Sequence, residues 1–147
     1  MSYATMEAAL QTQIQTLTGF AKGDRNVVLY DVGSLNRGSS KGVVLRFGGM
    51  DHSLWTMGGT HLHTWFINCT LYVRYKNESD AQEALRTNMQ LIIDRIDQYP
   101  KLGGSAYYAW VSSMEETPEE IALGAAKFIG RSLRIAVEEE VDVTEME

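Results

Sequence analysis

The sequence predicts an α+β fold: a single domain with a mainly antiparallel sheet of about five strands, packed by one long central helix, plus an N-terminal helix. Two neighbouring stretches lead to this prediction. Residues 64–75 alternate apolar and polar side chains, which is typical of a strand with one buried face. Residues 79–99 repeat apolar side chains at three- and four-residue spacing, which is typical of an amphipathic helix. Because each stretch offers one apolar face, we expect the helix to pack across a sheet that contains the strand.

The predicted central strand has two different faces. Its apolar face carries Trp65, Ile67, Cys69, Leu71, Val73 and Tyr75. Its second face, expected to be at least partly wet, carries Phe66, Asn68, Thr70, Tyr72 and Arg74. Since Cys69 is the single cysteine and lies on the apolar face, we interpret it as a small buried side chain.

The predicted central helix has recognisable ends. Ser79 and Gln82 fit a capping box, in which the two side chains satisfy backbone amides of the first turn. Pro100 cannot continue a helix, and Gly103 follows it in a turn. We therefore expect the helix to begin at Ser79 and to end just before Pro100.

The first part of the chain predicts one helix and two short strands. Residues 4–20 form a moderately amphipathic pattern, which favours a helix beside the central one. Residues 27–32 and 43–47 are short apolar runs joined by the Gly/Ser-rich stretch 33–42. Two such strands with a polar linker are interpreted as a hairpin with a long loop.

The last part of the chain predicts two more strands. An aromatic strand at 105–114 and a final strand at 133–137 are expected to be antiparallel neighbours. Residues 117–130 are open to two interpretations: a helix that starts with Pro118 in its first turn, or an extended segment returning to the sheet. Residues 138–147 are expected to be a flexible acidic end.

The charge distribution excludes an ordinary nucleic-acid-binding surface. The net charge is −6, and Glu138, Glu139, Glu140, Asp142, Glu145 and Glu147 supply six of the 19 acidic residues. The remaining body has as many basic as acidic residues, without the clustered Lys and Arg that displace counterions from a phosphate backbone. No secretory signal and no membrane-spanning stretch are expected, and the single cysteine fits a reducing compartment.

Residues 48–63 are the candidate contact segment. The segment begins with Gly48 and Gly49 and contains large apolar side chains and all three histidines, so we expect a flexible loop that becomes ordered against its own domain or another subunit. Together with the loop 33–42, it provides our candidate subunit or partner interface: Arg37, Lys41, Met50, His52, Leu54, Trp55, Met57, His61 and His63.

Two alternative functions remain open from the residues. His61 and His63 have the spacing of two metal ligands on one face of a strand, and either His52 or Asp51 is a candidate third ligand for a small metal-dependent enzyme. A small-molecule pocket is the other alternative, with walls formed by Trp55, Trp65, Tyr108 and Trp110. Apart from the histidines, no catalytic constellation or cofactor motif is found, so the favoured interpretation is a non-enzymatic protein without a cofactor.

The order of these elements resembles a known family. An N-terminal helix and two short strands precede the central strand Trp65-x-Ile67-x-Cys69-x-Leu71-x-Val73 and a long helix. A turn at Pro100 to Gly103, an aromatic strand and the final strand Gly130-Arg-Ser-Leu133-Arg-Ile135-x-Val137 follow. From about Met6 to Val141, this pattern resembles the tail terminator (tail completion) proteins of long-tailed bacteriophages.

The resemblance implies a structural protein of the virion. Such proteins form a hexameric ring that caps the tail tube, stops its polymerisation and provides the surface for head–tail joining. The implied partners are other copies of this chain, the tail tube protein and the head–tail connector protein, with the virion tail or neck as the final location and the host cytoplasm during assembly. A head–tail connector, or neck adaptor, of the same virion is the nearest alternative. A ring also needs two different patches that meet head to tail, and an exposed sheet edge is a further candidate patch.

Overall fold

A computed structural model describes the protein over residues 3–17, 20, 26–35, 40–57, 60–102, 108–115 and 118–142. At residues 34, 52–57, 60–62 and 140–142 only the backbone is described. The helices are α1 (Tyr3–Gln15) and α2 (Glu78–Gln98), and a 3₁₀ turn lies at Val32–Ser34. The strands are β1 (Val27–Leu29), β2 (Lys41–Met57), β3 (Thr60–Arg74), β4 (Tyr108–Met114), β5 (Glu119–Leu123) and β6 (Ala126–Asp142).

The described strands form one sheet of six, in the order β1-β2-β3-β6-β4, with β5 also paired to β6. The predicted α+β class is therefore confirmed. The sheet is mixed, because β1 runs parallel to β2 while the other pairings are antiparallel. As predicted, the last strand pairs antiparallel with the aromatic strand, β4. Neither helix in the described part of the chain is long and apolar enough to span a membrane.

The predicted hairpin between the first two strands is wrong. β1 and β2 are neighbours, but Val27 pairs with Val43 in a parallel register. The chain leaves β1 at Tyr30, whose φ of 68° lies in the left-handed region. Leu35 then packs with Val44 on the sheet face opposite the helices, so the described residues after β1 lie against that face.

Both helices pack on one face of the sheet. The predicted apolar set of the central strand is confirmed: Ile67, Cys69 and Leu71 are fully buried in the main core, which also contains the buried sides of α1 and α2. A smaller cluster covers part of the second face, where Tyr72 is fully buried and packs with Phe128. The second face is therefore partly buried, because Ile121 and Leu123 of β5 and Leu35 after β1 pack there.

The start of α2 differs from the predicted capping box. Asn77 is the N-cap, and its side-chain oxygen accepts a hydrogen bond of 2.9 Å from the Asp80 amide. Ser79 lies inside the first turn of the helix and is exposed. Asn and Ser are both good caps, so the local sequence does not distinguish them. In the structure, Asn77 has the extended backbone conformation of an N-cap, and Ser79 is already helical.

This cap allows a simple test. Replacing Asn77 with Ala is expected to lower the free energy of unfolding by about 1 kcal/mol, because the Asp80 amide loses its acceptor. The matched change Ser79→Ala is expected to cost less than about 0.5 kcal/mol. Urea unfolding of both variants checks the assignment, and a larger loss for Ser79→Ala would place the cap at Ser79 instead.

Residues 118–130 take the extended alternative. β5 and β6 form a tight hairpin in which Leu123 pairs with Ala126, and Gly124 has a φ of 65°. This positive φ suits a two-residue hairpin turn, and glycine adopts it without steric cost. Ile121 and Leu123 before the turn, and Ala126 and Phe128 after it, then pack together in the smaller core cluster.

The expected fraying from Glu138 onward is wrong for residues 138–142. β6 continues to Asp142 and pairs with the beginning of β3. The prediction relied on the density of acidic residues. However, the residues opposite Glu138, Glu140 and Asp142 on β3 are Thr64, Leu62 and Thr60, so no carboxylate faces another across the strand pair. Residues 143–147 lie outside the described residues.

Candidate interaction surface

The predicted flexible loop at 48–63 is instead part of the sheet in its described residues, 48–57 and 60–63, and the β2–β3 pairing there shifts register twice, after Phe47 and after His52. β2 continues to Met57 and β3 begins at Thr60, so this segment forms the outer part of a long antiparallel strand pair. A bulge separates the Phe47–Ile67 pair from the Gly49–Phe66 pair, and Gly49 has a φ of 110°. The glycines therefore allow an irregular step within one continuous strand, whereas the prediction treated them as a hinge. We call residues 50–57, 60–64 and 138–142 the arm, since these parts of β2, β3 and β6 extend the sheet together.

An aromatic cluster lies at the base of the arm. The Tyr3 ring lies 5.0 Å from the Phe47 ring in an edge-to-face contact and 5.3 Å from the Trp65 ring. The Trp65 Nε1 donates a hydrogen bond of 3.2 Å to Oε2 of Glu139, which is buried. These contacts hold α1, β2, β3 and β6 together where the arm begins. Phe47 is nevertheless 54% exposed, and its neighbour on the arm, Met50, is 41% exposed.

The outer edge of β2 is open beside these two side chains. β1 pairs with β2 only from Val43 to Leu45, and the Tyr30 amide adds one more bond to the Leu45 carbonyl. From Arg46 to Met57, no described residue pairs with this edge. A long edge with exposed apolar side chains favours pairing with another chain, and soluble proteins usually shorten or charge such edges. The open edge, with Phe47 and Met50, is the strongest interaction surface among the described residues.

A buried carboxylate fixes α1 beside this surface. Glu7 on α1 is only 2% exposed, and its Oε1 accepts a hydrogen bond from the Tyr30 hydroxyl. This hydrogen bond, with smaller contributions from burial and from the Glu7 charge, raises the pKa of Tyr30 to about 12. Burial and the Glu7 carboxylate also raise the pKa of Tyr3. The Glu7–Tyr30 hydrogen bond therefore joins α1 to the residue after β1. Tyr3, at the start of α1, joins the helix to the aromatic cluster.

Replacing Tyr30 with Phe is expected to weaken this joint. The buried Glu7 carboxylate loses a donor, but Tyr30 is 53% exposed and solvent screens the interaction, so we expect a loss of about 1 kcal/mol in the free energy of unfolding. Because the pKa of Tyr30 is higher in the folded state, this stability is fully present below about pH 10 and disappears towards about pH 12. The difference between wild type and Tyr30→Phe should therefore shrink in that range.

Urea unfolding of both proteins between about pH 8 and about pH 11 measures this difference. Tyr108→Phe, at an exposed tyrosine on β4, is the matched control and is expected to change stability little. A Tyr30→Phe loss that stayed constant across the alkaline range would assign the effect to packing and not to the hydroxyl.

Lys41 does not belong to the open surface. Its Nζ donates a hydrogen bond of 2.6 Å to Oδ1 of Asn88 on α2 and lies 4.6 Å from the centre of the Phe20 ring. Burial lowers the pKa of Lys41. Lys41 therefore joins the start of β2 to α2 and the chain after α1, which is a structural role that the sequence did not indicate. Arg37, the other predicted basic contact, lies outside the described residues.

The register brings the histidines closer together than the sequence suggested. His52 is the direct partner of His63 on the strand pair, and His61 lies two residues before His63 on β3. Glu139 is the partner of His63 on β6. Among the residues with described side chains, no group of three His, Cys, Asp or Glu is placed to hold a metal ion. The side chains of His52 and His61 are outside that set, so the metal hypothesis stays untested.

The remaining predicted contacts are located by their backbone. Leu54, Trp55 and Met57 lie on β2 within the arm, and only Met50 of the predicted apolar contacts has a described side chain. For the alternative pocket, Trp65 packs with Tyr3 and Phe47, whereas Tyr108 and Trp110 contact each other at 6.2 Å between ring centres. The described aromatic side chains of that alternative therefore lie in two separate clusters.

Sequence reasoning missed Tyr3, Phe47 and Glu139 as parts of this surface. Phe47 was placed at the end of a short strand, and Glu139 in a fraying end. The only local signal was the pair Gly48-Gly49, which is typical of either a loop or a bulge.

No model of a known protein family matches the chain, and a search of curated proteins finds no significant match.

Proposed function

We propose that this chain is the subunit of a tail terminator ring: a structural virion protein that caps a phage tail tube, stops its polymerisation and provides the head–tail joining surface. The proposal combines the resemblance in element order with one structural observation. That observation is the open edge of β2, which carries the exposed Phe47 and Met50 at the base of a long arm. A monomer that kept this edge in water would expose a template for pairing with another chain.

In the proposed ring, the open edge of one subunit meets a different surface of the next. A closed ring of identical subunits needs such a head-to-tail contact. We also propose that α2 is the central helix of the domain and keeps the sheet rigid, because its buried side chains enter the main core along its whole length. The arm then projects from a rigid body, which lowers the entropic cost of association.

The oligomeric state of the purified full chain tests the proposal. We expect native mass spectrometry and sedimentation velocity to show one defined closed oligomer, expected to be a hexamer, and negative-stain images to show rings. The ring should bind the ends of purified tail tubes and stop the addition of further tube subunits. A chain that stays monomeric at high concentration and leaves tube growth unchanged would contradict the proposal.

The head–tail connector alternative differs in its partner. A connector would bind the portal end of filled heads and leave tube polymerisation unaffected, so the tube-growth assay separates the two. The metal-dependent enzyme with His61 and His63 is the lower-ranked alternative. Metal analysis of the purified chain addresses it: a stoichiometric metal that is lost in His63→Ala would support a metal site.

A further inference from the structure

We propose that residues 143–147 of one copy dock into a groove between α2 and the edge of the sheet on a second copy. The inference builds on the proposed ring and identifies a second head-to-tail contact within it. It rests on three observations: the chemistry of the groove, the composition of the segment, and the distance between them.

The groove combines an apolar floor with basic walls. It has a volume of about 180 Å³ and lies between one side of α2 and the β4 and β6 strands. Leu85, Met89 and Ile93 on α2 form much of its floor, together with Met114 at the end of β4, which is 42% exposed. Two arginines line it, Arg86 on α2 and Arg131 on β6, and both also line the adjoining depression.

The charges of the groove favour an acidic ligand. Two arginines line both the groove and the adjoining depression, whereas one acidic residue, Glu83, lines the depression. Gln82 also lines both parts, and Gln90 lines the groove. Their Nε2 atoms donate hydrogen bonds to Glu78 and Asp94, and each amide keeps a second N–H and a carbonyl oxygen for a peptide backbone. A methionine-lined floor suits an apolar side chain, because thioethers fill irregular space well. The occupant that fits is therefore a short peptide with alternating apolar and acidic side chains.

Residues 143–147 have this composition. The segment is Val-Thr-Glu-Met-Glu, and it follows directly on the acidic end of β6. Met146 and Val143 supply the apolar side chains, and Glu145 and Glu147 supply carboxylates for Arg86. Carboxylate–arginine pairs are stronger than neutral hydrogen bonds and have a defined geometry.

The distance requires two copies. Met114 pairs with Leu133 on β6, whereas β6 ends at Asp142, which lies about 30 Å further along the strand. Residues 143–147 span at most about 17 Å when fully extended. The segment is therefore too short to reach the groove of its own subunit. It can dock only into the groove of a neighbouring subunit. Because the segment follows the arm, the arm of one subunit would carry it to α2 of the next.

A peptide-binding measurement tests the contact directly. A fluorescent peptide of residues 139–147 is titrated with a chain that ends at Asp142, and we expect saturable binding. Arg86→Glu is expected to weaken this binding roughly five- to tenfold. A peptide with Glu145→Lys and Glu147→Lys should restore binding to the Arg86→Glu chain. Lys101→Glu, a charge reversal at an exposed residue outside the groove, is the matched control and should leave binding unchanged. Absence of saturable binding, or equal binding to both charge-reversed chains, would overturn the inference.

A mixing experiment tests the head-to-tail geometry. The chain that ends at Asp142 keeps the groove without the segment, whereas a full chain with Arg86→Glu and Met114→Lys keeps the segment with an altered groove. We expect the two to form a one-to-one complex when mixed, and neither to form rings alone. Mixed chains that do not associate would contradict a contact between subunits.

The outcomes distinguish this inference from the proposed function. If the chain that ends at Asp142 forms rings as readily as the full chain, the docking inference is wrong and the ring proposal stands. If the full chain associates and Arg86→Glu abolishes that association, but the associated chains form no closed ring and leave tube growth unchanged, the ring proposal is wrong and the docking inference stands.

Discussion

Replacing Phe47 and Met50 together with lysine is expected to abolish ring formation. Both side chains are exposed beside the open edge of β2. If this edge is buried in the ring, two lysine ammonium groups there would lose their hydrating water, which makes association unfavourable. Hot-spot residues at the centre of an interface contribute about 2 kcal/mol or more each, so with Phe47 and Met50 in that role we expect the dissociation constant of the oligomer to rise by at least about a hundredfold. Sedimentation velocity over a concentration series measures this change.

Two controls separate assembly from folding. Phe47 contacts Tyr3 edge to face, so the double variant is also expected to lose about 1 kcal/mol of subunit stability, which urea unfolding measures. Leu91→Lys, at an apolar side chain on α2 that is 38% exposed, introduces the same charge away from the edge. Rings that persist in the folded double variant, or that disappear equally in Leu91→Lys, would argue against the β2 edge as the contact.

The second large effect is expected at Gly130, near the start of β6. Gly130 is the strand partner of Tyr72, and a Cβ built on it would lie 2.5 Å from the Tyr72 Cδ1 atom and 3.2 Å from the Leu71 carbonyl oxygen. The Tyr72 ring has little room to move, because it is fully buried and its hydroxyl donates a hydrogen bond of 3.0 Å to Glu119. We expect Gly130→Val to lower the free energy of unfolding by about 3 kcal/mol.

For a chain of this size, the Gly130→Val loss corresponds to a fall of roughly 10 °C in melting temperature. Lys127→Val, at an exposed position of the same strand, is the matched control and is expected to change stability by less than about 0.5 kcal/mol. In a Tyr72→Leu background the added cost of Gly130→Val should fall by more than half, because the ring that the new side chain meets is absent. An unchanged cost in that background would mean that Tyr72 is not the obstacle.

Gly130 also shows why part of the chain was ambiguous from sequence. Glycine lowers the propensity for helix and for strand alike, so its presence only weakened the helix interpretation of 117–130. The reason for a glycine at this position lies in the fold: Tyr72 on β3, which is distant in sequence, pairs with Gly130 and leaves no room for a side chain. Contacts of this kind have no local signal, because they depend on register across strands.

The acidic end and the glycine pair were misinterpreted for the same reason. A run of Glu residues is typical of a solvated tail, but a strand places alternate carboxylates on opposite faces, and β3 offers them no acidic partner. Gly48-Gly49 is typical of a hinge, but the long partner strand β3 turns it into a bulge within one continuous β2. In both cases strand pairing outweighed local propensity.

By itself, the sequence determined the fold class, the two faces of the central strand, the helix that follows it and the antiparallel partner of the final strand. These features depend on hydrophobic periodicity, which is a local property of the chain. Only the tertiary structure decided that β1 runs parallel to β2, that the arm is built from three strands, and that Phe47 and Met50 lie beside an open edge. Strand partners and register depend on contacts between residues that are far apart in sequence, so a local sequence pattern does not predict them.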